Sequence, residues 1–396
     1  MSFIGSDRMW RPALLVILSS AVLGCGSDDS SASDLGPEAR DTYAKIVHAS
    51  YDDAAQAAAA LQAAVSAFVE APSSARLTSA RKAWLDAREP YLQTEVYRFY
   101  DGPIDNPEDG PEGFINAWPL DEVYIDYVVE DENAGIINDP SLTIDAETLE
   151  SLNEAGGEKN IATGYHAIEF LLWGQDVDPD GPGARPYTDF ATDGTGTAQN
   201  QDRRGTYLTT VSGLLASQLQ SLVQAWAPAK SGSYRAEFEA VDASEAQRRI
   251  LTGMIVLSGF ETGRERLQPA LDTGEQEDEH SCFSDNTHRD MIQDVQGMLN
   301  VWQGTYTRSD GTKVSGVGMA DLVRGKDTKL AADVTAKIEE SLALARALEP
   351  PFDREIRTDN SAGRARVEAL INSLQEQEQL LEDVFRLLGL TVPAPE

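Results

Sequence analysis

Apolar residues recur at helical spacing along most of the chain. Over residues 38–69 they fall at Ile46, Ala54, Ala58, Leu61 and Val65, in a stretch dense in Ala, Gln and Asp, and so mark one core-facing side of a helix. Residues 78–99 continue the pattern, and Ala71-Pro72-Ser73-Ser74 between them is a turn with helix-capping residues. The texture then changes. Residues 100–142 are rich in Gly, Pro, Asp and Asn, and a loop this long inside a compact domain is usually functional. Helical texture returns at 161–173 and, after a second Gly/Pro/Asp-rich stretch at 175–200, at 203–227, 244–268, 287–303, 329–348 and 362–388. No strand alternation stands out, although a short apolar run such as 123–129 could be extended. More long helices are predicted than one four-helix bundle needs. The expected fold is all-α, with two packed helical-bundle domains at 38–228 and 229–396 and long irregular loops. Each half carries a helix pair before a Gly-rich loop, which is compatible with a pseudo-two-fold duplication, although no clear sequence repeat is visible.

A chain of 396 residues that is 41% hydrophobic can build two real cores. The balance of 32 basic against 66 acidic residues gives a net charge of -34, which excludes nucleic acid as a natural partner and tolerates cations. At the N-terminus, Arg8 and Arg11 precede an apolar run from Pro12 to Leu23 that is too short to span a bilayer, so residues 1–24 read as a signal peptide. Its end, Val22-Leu23-Gly24-Cys25, resembles a bacterial lipoprotein signal, with Cys25 as the lipidated first residue of the mature chain. An ordinary secretory signal with an incidental cysteine is the alternative. Residues 25–37 then form a lipidated cysteine and a Ser/Asp/Gly-rich tether. Gly26 stands where an aspartate would suggest inner-membrane retention, so outer-membrane anchoring is favoured. With Cys25 lipidated, Cys282 has no partner for an intrachain disulfide.

The candidate chemistry centres on Gly164-Tyr165-His166-Ala167-Ile168-Glu169. An imidazole and a carboxylate three apart lie on one helix face and can reach the same ion, and the apolar residues around them predict a buried helix. Polar groups buried there must be paired, hydrogen-bonded or metal-bound, which leaves a structural pair and a metal site both open. Upstream, Glu95 and Arg98 stand three apart near the end of the second helix, and the following loop offers Asp101, Asp105, Glu112, Asn116, Trp118, Asp121 and Asp126. A local Glu95–Arg98 ion pair and turn-forming aspartates are the plainer readings. A third cluster at 278–290 holds His280, Cys282, Asp285, Asn286 and His288, in no standard zinc spacing and beside residues that also cap helices.

Taken together, GYHAIEFLLWGQD at 164–176, REPYLQTEVYRFYDGPID at 88–105, EGFINAWPLDEVYIDYV at 112–128 and EDEHSCFSDNTHRD at 277–290 resemble the imelysin family. RRGTYLTTV at 203–211 and LSGFETGRERL at 257–267 do so too. The resemblance implies a helical fold of two bundle-like domains with a Gly-x-His-x-x-Glu signature near their interface, in an exported or surface-tethered protein. It also implies a metal site at His166 and Glu169, which match the signature position by position. The family is catalogued with metallopeptidases, includes iron-regulated proteins, and has shorter relatives in periplasmic iron uptake.

Neither zincin string, His-Glu-x-x-His or His-x-x-Glu-His, occurs in the chain, and Phe170 follows Glu169. A further ligand must come from distant sequence. Glu95 is the first choice, and Asp105, Asp121 and His280 stand behind it; Arg98, Trp118, Asp285 and His288 complete the expected lining. Carboxylates with one histidine suit iron or manganese as well as zinc. The sequence therefore points to a metal-binding lipoprotein of the cell envelope acting in iron acquisition, anchored to the membrane by lipid and served by iron-transport components. A metal-dependent peptidase and a non-catalytic surface scaffold are the alternatives.

Overall fold

Pro37 lies in the first turn of helix α1 (Gly36–Glu70), where its missing N–H leaves no bond unmade. In this computed structural model residues 35–228 and 230–390 are described. The expected signal peptide at 1–24, the expected lipidation site Cys25 and most of the expected tether at 25–37 lie outside them. Along α1, Ile46, Ser50, Ala54, Ala58, Leu61, Val65 and Phe68 form one buried stripe.

Helix α2 (Ser74–Leu92) starts where the Ser73 hydroxyl accepts the Arg76 N–H at 3.3 Å. It stops earlier than the periodicity predicts. Pro90 lacks the N–H for its last turn, the Thr94 hydroxyl donates to the Tyr91 carbonyl at 2.6 Å, and the chain leaves through a 3-10 turn, Glu95–Tyr97. Glu95 and Arg98 thus sit beyond the helix, on a turn aimed into the molecule.

The remaining long helices are α3 (Gly164–Trp173), α4 (Gln201–Ala225), α5 (Ala243–Ile255), α6 (Thr287–Gln303), α7 (Thr328–Ala345) and α8 (Ser361–Leu387). Helix α5 runs on as a π-helix over Val256–Leu267, so one expected helix has two geometries. Helices α1 to α4 pack together, with α1 on α2 and α4 and α3 on the same two. The C-terminal set is built on α8, which lies against the π-helix and α7, while α6 packs on α7. Contacts of α6 with α2 and of α5 with α1 join the two bundles, and the described residues form one compact unit.

Sheet structure among the described residues consists of one antiparallel pair, Thr305–Thr307 with Lys313–Ser315, in which Tyr306 faces Val314, and an isolated antiparallel bridge between Val128 and Asp131. Three-residue strands are too short to show alternation, so the sequence pattern missed them. The long loop at 100–142 is pinned by helical turns at Glu112–Ile115, Glu122–Ile125 and Gly135–Asn138. No described helix is long and apolar enough to cross a membrane.

Candidate metal centre

Helix α3 is buried along its whole length, and Trp84 of α2 fixes its start by donating its indole N–H to the Tyr165 carbonyl at 2.9 Å. Helical spacing brings His166 and Glu169 together, with Nδ1 and Oε2 2.9 Å apart. The other carboxylate oxygen of Glu169 accepts the Ser284 N–H at 3.0 Å and the Ser284 hydroxyl at 2.6 Å. Both Glu169 oxygens are therefore taken, one by the imidazole and one by the loop at 279–286. The Nε2 atom of His166 is buried with no hydrogen-bond partner.

Beside the His166 ring stand Trp118, with ring centroids 4.8 Å apart, and His280 at 5.0 Å in an edge-on arrangement. His280 is held as His166 is, its Nδ1 lying 2.8 Å from Oδ2 of Asp290. Asp290 also accepts from the Ser281 hydroxyl and, at 3.1 Å, from Arg88, whose other terminal nitrogen donates to Asn116. Arg88 belongs to α2 and Asp290 to α6, so this pair lies where the bundles meet.

A second layer of charge adjoins the first. Glu95 accepts from Arg98 at 2.7 Å and from Arg266 of the π-helix. Arg266 also donates to Asp294 at 3.0 Å and to Glu261 at 3.0 Å, and Arg98 reaches Glu112 at 3.1 Å. Against the guanidiniums of Arg88, Arg98 and Arg266 stand the carboxyl groups of Glu95, Glu112, Glu169, Glu261, Asp290 and Asp294. The acids are in excess, which suits a site that receives a cation.

Burial and then the Arg88 charge lower the His166 pKa, and burial and then Arg266 bring His280 down to about 4, so both imidazoles are neutral at pH 7. Burial alone would raise Asp290, but Arg88 and then His280 hold it well below the usual carboxylate range. An ionised Asp290 accepts the Nδ1–H of His280, which makes Nε2 the bare nitrogen. Burial pushes Glu169 up to about 8 against the Ser284 hydrogen bonds. A cation bound at His166 Nε2 would displace to solvent the proton that this nitrogen carries, and with the proton shared between Oε2 and Nδ1 then resting on Nδ1, Glu169 would be the carboxylate behind the imidazole. Carboxylates commonly orient metal-binding histidines in this way.

The other expected residues have separate duties. Asp105 folds the loop, accepting N–H groups from Phe99, Tyr100 at 3.3 Å and Gly102 at 2.8 Å. Asp121 caps the turn at Glu122–Ile125, where its side chain accepts the Val123 N–H at 3.3 Å. Asp126 pairs with Arg185 and Arg204, each at 2.6 Å. His288 lies 3.2 Å from the Asp285 carbonyl, and Asp285 turns away from the imidazoles toward Asp176 and Asp353. Phe170, where a second helical histidine would stand in a zincin, packs on Phe283 at 5.1 Å. The Cys282 thiol is buried and raised far above its ordinary pKa, unsuited to act as a nucleophile. Arg88, Asp290, Arg266, Asp294 and Ser284 escaped the sequence reading as site residues, although all but Asp294 lie inside the blocks that carry the family resemblance.

Comparison with known proteins follows the same lines. The family model for imelysin matches residues 47–381. Iron-regulated protein A of Synechococcus elongatus is 26% identical over 275 residues, 67% of this chain and 63% of the relative, so the chain spans about 63% of that curated protein's length. A crystal structure from Parabacteroides distasonis, assigned to an iron-regulated protein A precursor, superposes with a TM-score of 0.67 at 19% identity, covering 89% of this chain and 95% of that one. An imelysin-like protein from Psychrobacter arcticus gives 0.63 at 14% identity, over 90% of this chain and 98% of its own. These structures share the helical fold. With the family match running through both bundles and every element of the buried centre, this chain belongs to the imelysin family.

Proposed function

We propose that this imelysin is an exported, lipid-anchored protein that binds iron as cargo at His166 and His280 and passes it to transport components in the cell envelope. The observation that carries the reading is the buried Nε2 atom of His166, which has no partner, while Nδ1 is held by Glu169 and a second carboxylate-backed imidazole lies beside it. Neutral imidazole backed by carboxylate suits iron, manganese or zinc. Relatives bearing the name iron-regulated protein A favour iron. Glu95 serves this site from outside: Arg98 and Arg266 already balance its charge, and the place of the ligand from distant sequence passes to His280. Both imidazoles are buried, which favours a small ion over a polypeptide substrate.

Anaerobic titration calorimetry with Fe(II) tests the proposal. His166→Ala with His280→Ala should abolish binding, and Glu169→Gln should weaken it roughly 10–100-fold by freeing the imidazole it orients. Thermal melts establish that each variant is folded. Unchanged affinity in the double variant removes the site from the account. Peptide fragments released by the metal-loaded protein, but not by Glu169→Gln, would favour the metallopeptidase reading instead.

A further inference from the structure

On the far side of the 279–286 loop, carboxylates of Asp176, Asp285 and Asp353 converge so closely that one oxygen from each lies within 4.8 Å of the others. All three are buried. Both side-chain oxygens of Asp285, both of Asp353 and Oδ2 of Asp176 receive no N–H or hydroxyl donor, Asp353 meeting only the carboxyls of Asp285 and Glu279, and none of the three is in an ion pair among the described residues. Glu279 supplies a second observation. It is fully buried, no cation pairs with it among the described residues, and the groups acting on it most strongly are the carboxyls of Asp353 and then Asp285, which it meets at the cluster. So many acid oxygens without donors would be costly unless something positive joins them.

The sequence adds an independent argument. Asp176-Val177-Asp178-Pro179-Asp180-Gly181 has the D-x-D-x-D-G spacing that opens a calcium-binding loop. In such a loop a glutamate closes the shell at the twelfth position. Here that position is Tyr187, and the acids that meet Asp176 come from elsewhere in the fold, namely Asp285 and Asp353. Asp178 lies exposed on the solvent side, with its backbone N–H on Asp176 Oδ1 at 3.1 Å, while Asp180 is engaged at the surface by Arg354 at 3.3 Å and Arg357 at 3.4 Å.

We propose that Asp176, Asp285 and Asp353, with Glu279 behind them, form a calcium site that fastens the 175–183 loop, the 279–286 loop and the turn at Asp353–Ile356 together. The donors are all oxygen, without sulfur or imidazole, which favours a hard cation over ferrous iron or zinc, and an irregular cage from three loops suits Ca2+ better than the strict octahedron of Mg2+. The same short loop carries Glu279 and Asp285 toward this site and His280, Ser281 and Ser284 toward the imidazole centre. Calcium would therefore stiffen the segment that orients His280 and Glu169.

The test uses the full mature chain, freed of metal by chelator, with CaCl2 titrated in calorimetry and in thermal melts. Binding of one Ca2+ per chain is expected, with a dissociation constant on the order of 10⁻⁴ M or tighter. Saturation should raise the melting temperature by roughly 3–5 °C. Asp285→Asn with Asp353→Asn should lose both signals, yet melt in chelator no lower than the parent, because the amides remove repulsion and add donors. His166→Ala should keep both, which separates this site from the iron reading. Absence of a calcium heat and melting shift in the parent, an equal shift in the double variant, or an equal shift with MgCl2 overturns the proposal.

Discussion

Gly164 opens the motif helix with φ at 85°, and a Cβ there would stand 2.5 Å from the Ile115 carbonyl oxygen. Gly164→Ala therefore combines a left-handed backbone with a clash against main chain that cannot swing away, and it should lower stability by roughly 2–4 kcal/mol. Urea denaturation measures this, and a loss below about 1 kcal/mol, the ordinary range for a mild substitution, would show that the loop at 112–116 gives way instead. Of the signature's three fixed residues, His166 and Glu169 were legible in the sequence because their meeting is local: three residues apart on a helix, they reach 2.9 Å. The glycine's duty was not legible, since it depends on a carbonyl brought up from a distant loop. The second half of Glu169's role was hidden for the same reason, because Ser284 arrives from the other bundle.

At the level of elements, helical periodicity located the long helices but not where Pro90 would cut α2 short or where α5 would widen into the π-helix over Val256–Leu267. That widening matters for the site. Arg266 leaves the π-helix and ties three elements together through Glu95 on the turn after α2, Asp294 on α6 and Glu261 on its own helix. Replacing it with a side chain of similar length but no charge, Arg266→Met, strands buried carboxylates and should cost roughly 3–5 kcal/mol. Adding Glu95→Gln to it should recover part of that loss, since the repulsion among the remaining acids falls. Denaturation of the single and double variants measures the coupling. If the two losses simply add, Arg266 is not acting through Glu95 and the turn is held by packing alone. Sequence spacing suggested only the local Glu95–Arg98 pair, which does form at 2.7 Å, because Arg266 approaches across the fold.

Across the whole molecule, two populations of buried groups set opposite slopes of stability against pH. Asp290, Glu95 and Asp126 have folded-state pKa values below the ordinary range: burial alone would raise them, and their arginine partners reverse it, so the stability they contribute is present above about pH 4 and lost as pH falls further. His280, brought down to about 4, and His166 also bind fewer protons folded than unfolded, which weakens the fold on acidification below about pH 6.5. Asp294 and Glu169 go the other way. Burial pushes Asp294 up to about 7 and Glu169 up to about 8, so between the unfolded carboxylate range and those values the folded chain holds protons that the unfolded chain has lost. Stability must then fall as pH rises through that interval, by about 1.4 kcal/mol per pH unit for each such group still protonated. Glu122, Asp176 and Asp285, pushed up by burial to about 8, 7 and 8, add to this slope; below about pH 6.5 the histidines oppose it, and above that the carboxyls act alone. The metal-free protein therefore loses stability from pH 6.5 to 8.5. Melting temperatures measured in chelator across that range test the sign. A flat or rising profile would mean that these carboxyls ionise freely in the fold, and with it would go the picture of a junction between bundles kept short of positive charge until a cation arrives.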